Sequence, residues 1–393
     1  MRHSIYAVCG SGAVGKHPLD ADAWSGSSRF FFTEIQRRGS LGGTIGGELP
    51  FIQKLLYALR YFSPNRSGMM QRLYTSTGYR NALSRLLAAK IRSTEFPDHS
   101  VAVQLGSMYN VNAAFPDRCR RCSYHDGNFA MLLQSPHYPK RNISEKMANA
   151  ALRYEKDVLT GQQAVFTMSE FLRQSFIRDY GIAAEKVHCI GAGINLPPEM
   201  TAQIQQEQTP KDYSVPDMLF VGADFDRKGG RILLNAFRQI RSAVPKARLH
   251  IVGPACPVKG FEAEPGVQWH GFLHKGNPAD MKLLESLFAG ASLFVLPSLY
   301  EPFGIAPLEA MLHRIPCVVS ERWALPEIVP AGKTGEHVAP GNTEELGAKI
   351  TMLLKNPDKL YGYGRVCRSW VTENFLWHHV VDRLDVFLQQ IFP

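Results

Sequence analysis

Two glutamates bracket the turn Pro297-Ser298-Leu299-Tyr300-Glu301-Pro302-Phe303-Gly304-Ile305-Ala306-Pro307-Leu308-Glu309. The turn leaves an apolar run, SLFVLPS (292–298), and opens a helix expected over roughly Ile305–His313. Gly304 leaves room for a ligand to approach the backbone, and the free N–H groups of a helix start attract an anion such as phosphate. Carboxylates accept hydrogen bonds without donating them, so Glu301 and Glu309 suit hydroxyl groups on either side of that phosphate. Taken alone, the residues leave a second reading open, in which Glu301 caps the helix and Glu309 is a solvated charge.

Other residues could join this chemistry. Arg227-Lys228-Gly229-Gly230 puts two cations at the start of a helix expected from Arg231 to about Ala243. The helix dipole disfavours them there unless an anion is held nearby, though an exposed basic pair is the plain alternative. Tyr124-His125-Asp126-Gly127-Asn128 supplies a lone histidine, either structural or functional. His125 and Asp126 make no triad, because adjacent side chains need not face each other. Trp24-Ser25-Gly26-Ser27-Ser28 precedes an amphipathic helix from Arg29 to about Arg38, and both Ser27 and Ser28 also suit plain N-caps.

Two patterns are set aside. Gly10-Ser11-Gly12-Ala13-Val14-Gly15-Lys16 matches a dinucleotide fingerprint and most of a P-loop, but His17 stands where the metal-holding Ser/Thr belongs. Pro18 and Asp20 then interrupt the helix that either motif requires, so the run reads as a loop. Cys119 and Cys122, with His125 nearby, lack the second ligand pair of a structural zinc site.

The elements that must position these residues form a regular series. MLFVGA (218–223), ARLHIVG (247–253), VQWHGFL (267–273), SLFVLPS (292–298) and PCVVS (316–320) read as strands separated by helices. Such alternation indicates a parallel sheet covered on both faces, which binds ligands where strand ends enter loops. VAVQLG (101–106), AVFTMS (164–169) and VHCIGAG (187–193) repeat the theme less regularly, and TAQIQQEQTPKDYSVP (201–216) suits a linker. The expectation is an α/β protein with domains at 1–196 and 197–369 and a terminal helix, about 370–393, packing back on the first.

A chain of 393 residues, 45% hydrophobic and 20% charged, has ample material for two cores. It holds no apolar run long enough to span a membrane and no secretory signal pattern. Seven scattered cysteines do not read as a disulfide framework, so a reducing cytoplasmic setting is expected. The net charge of +9 is unevenly spread: Leu49 to Thr94 contains Lys54, Arg60, Arg66, Arg72, Arg80, Arg85, Lys90 and Arg92 and no acid. Basic residues interleaved with apolar ones suit an anionic membrane surface, or equally two helices packing leucines inward. No nucleic-acid module accompanies the charge, and no nucleic-acid partner is expected.

The motifs together resemble a known family. Glu-x7-Glu with Phe303-Gly304 inside it, followed by Leu308-Glu309-Ala310-Met311, is similar to the donor-site signature of family 4 glycosyltransferases, which have the GT-B fold. Phe220-Val221-Gly222 with Arg227-Lys228-Gly229-Gly230, His250-Ile251-Val252-Gly253, Gly271-Phe272-Leu273 and Pro326-Glu327-Ile328-Val329 agree in order. Thr167-Met168-Ser169-Glu170-Phe171 and Gly191-Ala192-Gly193-Ile194-Asn195 match upstream, and the resemblance covers roughly 160–345 well.

The resemblance implies two Rossmann-like, doubly wound domains facing across a cleft, the first for the acceptor and the second for a UDP-, GDP- or ADP-sugar. Transfer to a saccharide or lipid-linked saccharide would retain anomeric configuration without a metal or other cofactor, in polysaccharide or glycoconjugate biosynthesis. Lys228, near Gly222, would neutralise the diphosphate, and the Gly304 and Ile305 amides beside Phe303 would hold its distal phosphate. Glu301 would bind the transferred sugar, Glu309 the ribose, and Phe272 and Leu273 the base. Ser27 would approach the donor phosphate, and His125 the sugar near the reacting carbon. Ala223-Asp224-Phe225 stand where many members have an arginine, leaving Arg227 as the candidate second cation. The setting implied is cytoplasmic, at the inner face of an anionic membrane. A nucleotide-sugar epimerase or phosphorylase, and a non-catalytic membrane-associated binding protein, are the alternatives.

Overall fold

The structure, a computed structural model, describes residues 3–10, 16–20, 26–138 and 142–392. Residues 11–15 of the glycine-rich run, and Trp24 and Ser25, lie outside the described residues. The chain divides into two compact units, Met1–Asn195 with Trp377–Pro393, and Leu196–Leu376.

The first unit is built on six strands: β1 (Ser4–Gly10), β2 (Leu41–Gly47), β3 (Ser100–Leu105), β4 (Arg120–His125), β5 (Ala164–Thr167) and β6 (Val187–Cys189). They lie in the order β2-β1-β3-β4-β5-β6 with every pairing parallel. Strands covered on both faces need nearly continuous apolar runs, and β3 is buried along its whole length. β2, LGGTIGG, escapes a reading by pattern because glycines weaken a strand that stands alone. It forms on the template of β1, Ala7 opposite Thr44 and Val8 opposite Ile45. At Gly42 a side chain would crowd the neighbouring strand, since a Cβ there would lie 2.1 Å from the Ser4 hydroxyl.

The second unit carries β7 (Asp217–Val221), β8 (Arg248–Val252), β9 (Val267–Trp269), β10 (Leu293–Leu296), β11 (Cys317–Ser320) and β12 (Gly335–Val338). Their order is β12-β11-β10-β7-β8-β9, again all parallel. The chain thus builds outward from β7 to β9, then returns and builds the other way from β10. Loops leaving the carboxyl ends of β7 and β10 are therefore neighbours, at the switch point where such sheets bind ligands. The helix Gly230–Ala243 that follows β7 buries Leu233, Leu234, Ala236, Phe237 and Ile240, the one-sided stripe of a helix lying on a sheet.

Two expectations change. The stretch 201–216 is not a free linker: its first part continues the helix Pro198–Gln206. The rest is tied down, Lys211 Nζ donating to the Phe288 and Ala289 carbonyls at 3.0 and 2.8 Å and the Tyr213 hydroxyl to Arg314 at 2.6 Å. The C-terminal periodicity belongs to two helices, Pro357–Asn374 in the second unit and Trp377–Ile391 in the first. Trp370 holds the former by donating its indole N–H to the Ile328 carbonyl at 2.9 Å.

The last helix is seated firmly. Arg383 Nε donates to the Ile190 carbonyl at 2.7 Å, Arg38 pairs with Asp382 at 2.7 Å, and the Trp377 ring lies 5.9 Å from Phe31. That indole also fills the space beside Gly193, where a Cβ would come within 2.6 Å of it. Trp377→Ala should cost the first unit about 3 kcal/mol in denaturant unfolding, the usual penalty for emptying a buried aromatic site.

Candidate active site

The loop from β7 to its helix curls tightly. Lys228 N–H donates to the Asp224 carbonyl at 3.0 Å and Gly230 N–H to that of Phe225 at 2.8 Å. Phe225 anchors the curl from below, its ring 5.4 Å from Phe220 and 5.8 Å from Trp269. Gly222 lets the Lys228 stem lie against the backbone, since a Cβ there would sit 2.3 Å from Lys228 Cδ. Gly229 is at φ 78°, and a Cβ on it would meet the Pro297 carbonyl at 2.1 Å. The two loops of the switch point can touch only because this position is glycine.

They do touch, through charge. Lys228 Nζ lies 3.0 Å from Glu301 Oε2, and Arg227 Nη1 3.8 Å from the same oxygen. Ser298 Oγ donates to that oxygen at 3.3 Å. Arg227 also holds the second loop directly, Nη1 donating to the Tyr300 carbonyl at 2.7 Å, while its Nε pairs with Asp224 at 2.9 Å. Trp323 completes the support: its indole N–H donates to the Leu299 carbonyl at 3.1 Å, and its ring meets Tyr300 edge-on at 5.0 Å. Arg227 and Lys228 are thus not an exposed basic pair, and Glu301 is not a helix cap.

The helix Ile305–Leu312 begins at Gly304, φ 103°, with no side chain capping it. Pro307 has no N–H, so the donors at this start are those of Gly304, Ile305 and Ala306. Phe303 is buried just before them, its ring 6.5 Å from Phe375. Glu309, one turn in, is only 3% exposed and pairs with Lys275, so it is no solvated charge. Lys275 comes from the loop after β9, in which Phe272 is 49% exposed and packs edge-on against His274, with Leu273 half-buried beside it.

Lys275 is the residue that reading the sequence missed. A single lysine in His274-Lys275-Gly276-Asn277 carries no local signal, and only the fold brings it to Glu309. Ser298 was legible as part of the turn, but not as a donor to Glu301.

The candidates of the first unit are placed differently. Ser27 opens the helix Ser27–Arg37 behind an N-cap glycine at φ 93°, and no side chain caps that helix. Its hydroxyl accepts from Asn195 Nδ2 at 2.9 Å, while the Ser28 hydroxyl donates to the Pro18 carbonyl. Neither serine is therefore an N-cap. His125 ends β4, wholly buried and edge-on to Phe176 at 5.0 Å. Neither ring nitrogen has a hydrogen-bond partner, and burial pushes the imidazole pKa down to about 3. His125 is accordingly a neutral base in an apolar pocket. Cys119 and Cys122 are buried free thiols, and burial pushes both upward, so neither is a ready thiolate.

Glu301 is buried, which by itself would push its carboxyl pKa up. The charges of Lys228 and Arg227, with hydrogen bonds from Lys228 and Ser298, outweigh that and hold it below the usual carboxylate range. The second unit thus gathers three cations, an uncapped helix start and two carboxylates, a set able to hold an anion flanked by hydroxyls.

Residues 215–356 match the family model described as Glycosyl transferases group 1. The chain is 29% identical over 222 residues to the MMP alpha-(1->4)-mannosyltransferase of Mycolicibacterium hassiacum, covering 55% of this chain and 51% of that protein. It therefore spans about half the length of that curated relative. The sucrose-phosphate synthase from Thermosynechococcus elongatus superposes with a TM-score of 0.69 at 17% identity, over 98% of this chain and 99% of that one. Anabaena Alr3699/HepE in complex with UDP and glucose superposes with a TM-score of 0.59 at 18% identity, over 99% and 100%. At such identities the likeness is one of fold, and the fold is GT-B.

A depressed carboxyl pKa contributes stability that is fully present above the unfolded-state value and lost as pH falls through the folded one. Glu301→Gln should therefore lower stability at pH 7 by about 3 kcal/mol, the low end for removing one partner of a buried ion pair. In urea unfolding at a series of pH values, the gap to wild type should narrow as pH drops below about 4.

Proposed function

We propose that the chain, whose residues 215–356 match the glycosyl transferases group 1 model, moves a hexose from a nucleotide-diphosphate sugar to a saccharide or lipid-linked saccharide, with retention of anomeric configuration. The observation that carries this reading is the convergence of Lys228, Arg227 and Glu301 beside the uncapped helix start at Gly304. The donor diphosphate lies against the Gly304 and Ile305 amides, near Phe303 and Gly222, with Lys228 and Arg227 as countercharges. Glu301 accepts from hydroxyls of the transferred sugar and Glu309 from the ribose, and the base lies by Phe272 and Leu273.

Charge develops on the departing phosphate as the glycosidic bond stretches. Pre-aimed amide dipoles and an ammonium stabilise that charge most where water is excluded. The phosphate, rather than a side chain, takes the proton of the incoming hydroxyl on the same face, which keeps the configuration. The cationic role falls to Lys228 and Arg227, and the reading assigns no metal or other cofactor. The first unit takes the acceptor, with Ser27 and His125, a neutral imidazole, as its candidate residues. The work is cytoplasmic, in polysaccharide or glycoconjugate assembly, with a lipid-linked acceptor met at the inner face of an anionic membrane. Among the described residues no helix is long and apolar enough to cross that membrane.

Thermal-shift measurements with UDP-, GDP- and ADP-sugars should show one base stabilising the protein, because a ligand that binds only the native state raises its stability. Lys228→Ala should abolish that shift and lower kcat on the matching donor about a hundredfold or more. If no nucleotide sugar shifts the transition, or the variant responds as wild type does, the reading fails. Product isolated with the donor alone would instead indicate an epimerase.

Transfer should persist undiminished in excess EDTA, followed as product formation over time. Loss restored by a divalent cation would overturn the assignment of the whole cationic role to side chains.

A further inference from the structure

The acid-free basic stretch contains two kinds of helix. Thr77–Arg92 packs into its unit, burying Leu83, Leu87 and Ile91 among others. Phe51–Arg60 buries none of its residues. It leans on the unit through Tyr57, whose ring meets Tyr79 edge-on at 5.6 Å and whose hydroxyl donates to the Gly78 carbonyl at 3.0 Å. Tyr57 and Tyr61 pack against the core and define the inward face. The outward face carries Ile52, Leu55, Leu56 and Leu59, at the i, i+3, i+4, i+7 spacing of one helical stripe. Exposures there run from 47% at Leu55 to 70% at Ile52, with Phe51 at 76% and Phe62 at 67% on the flanks. Six of the eleven exposed large hydrophobics of the described residues fall within these twelve positions, so the patch is concentrated, not scattered.

We propose that the helix Phe51–Arg60 docks the first unit on an anionic lipid bilayer, inserting its outward Ile/Leu/Phe face among the acyl chains. Three observations choose this occupant. No residue of the helix is buried and its aliphatic stripe is exposed, as a helix lying in a bilayer interface requires. Arg60 ends this helix and Arg66 opens the next, both exposed; no acidic residue occurs from 49 to 94, and Glu48 just before is paired with Lys54 at 2.8 Å. Anionic headgroups complement that charge. A second copy pairing face to face would bring like charges together, which disfavours it. The proposal deepens the membrane-face part of the proposed function and rests on it for the acceptor, while docking itself needs neither donor nor transfer.

Cosedimentation of the full chain with vesicles tests it. Wild type should bind phosphatidylglycerol-containing vesicles and not pure phosphatidylcholine, and binding should weaken as salt rises. Replacing Leu56 and Leu59 together by Gln (Leu56→Gln, Leu59→Gln), which keeps charge and helix propensity, should lower the partition coefficient about tenfold or more. Phe62→Trp supplies a second readout, its emission shifting to the blue when anionic vesicles are added. Absence of wild-type binding, unchanged binding of the Leu56/Leu59 double variant, or no shift from Trp would each overturn the proposal. So would a dimer in sedimentation velocity that the double variant dissociates, since that assigns the face to a second copy. Nucleotide-sugar binding is measured on the same samples without lipid, so docking and the donor reading fail independently.

Discussion

A carboxylate taken out of water must be paired, and the second unit turns on how Glu301 finds its partner. Burial of an isolated charge costs several kcal/mol, far more than an exposed ion pair returns, so the approach of Lys228 to 3.0 Å is a condition of keeping that charge. It is met by topology. Lys228 leaves β7 and Glu301 leaves β10, strands distant in sequence but adjacent in the sheet. Reversal of strand order at this point sets their loops side by side, and glycine at 229 removes the last obstruction to contact. Arg227 then bonds across to the Tyr300 backbone, so the second loop is held by its main chain as well as by its charge.

An ammonium that satisfies a carboxylate is also what a phosphate requires, and it sits beside a helix start that no side chain has capped. Glu309 and Lys275 repeat the device one turn along. Each carboxylate is paired with a cation from a separate loop, Glu301 with Lys228 and Glu309 with Lys275. His125 follows the opposite rule. With no partner for either nitrogen it stays neutral, and its surroundings are set by packing against Phe176, not by ion pairing.

The basic stretch shows how one sequence pattern can lead to two environments. Phe51–Arg60 and Thr77–Arg92 both interleave leucines with cations, and periodicity alone left membrane and core readings equally open. The difference comes from what lies opposite. The later helix packs its leucines into the core of the first unit, whereas the earlier one meets it mainly through two tyrosines and leaves its aliphatic stripe outside.

Local chemistry was legible wherever an element carries its own signal. Continuous apolar runs marked β3, β5, β7, β8, β10 and β11, and the one-sided stripe marked the helix after β7, because burial on one face or two dictates those patterns directly. The turn with Glu301, Gly304 and Glu309, and the Arg227–Lys228 pair, were readable as residues entering helices. The tertiary structure decided what depends on distant partners. β2 exists only against β1, the stretch 201–216 is pinned by carbonyls far along the chain, and Lys275 reaches Glu309 only because β9 ends where it does. A residue's type and spacing are local properties, but whether its charge is buried, paired or exposed depends on the chain that folds against it.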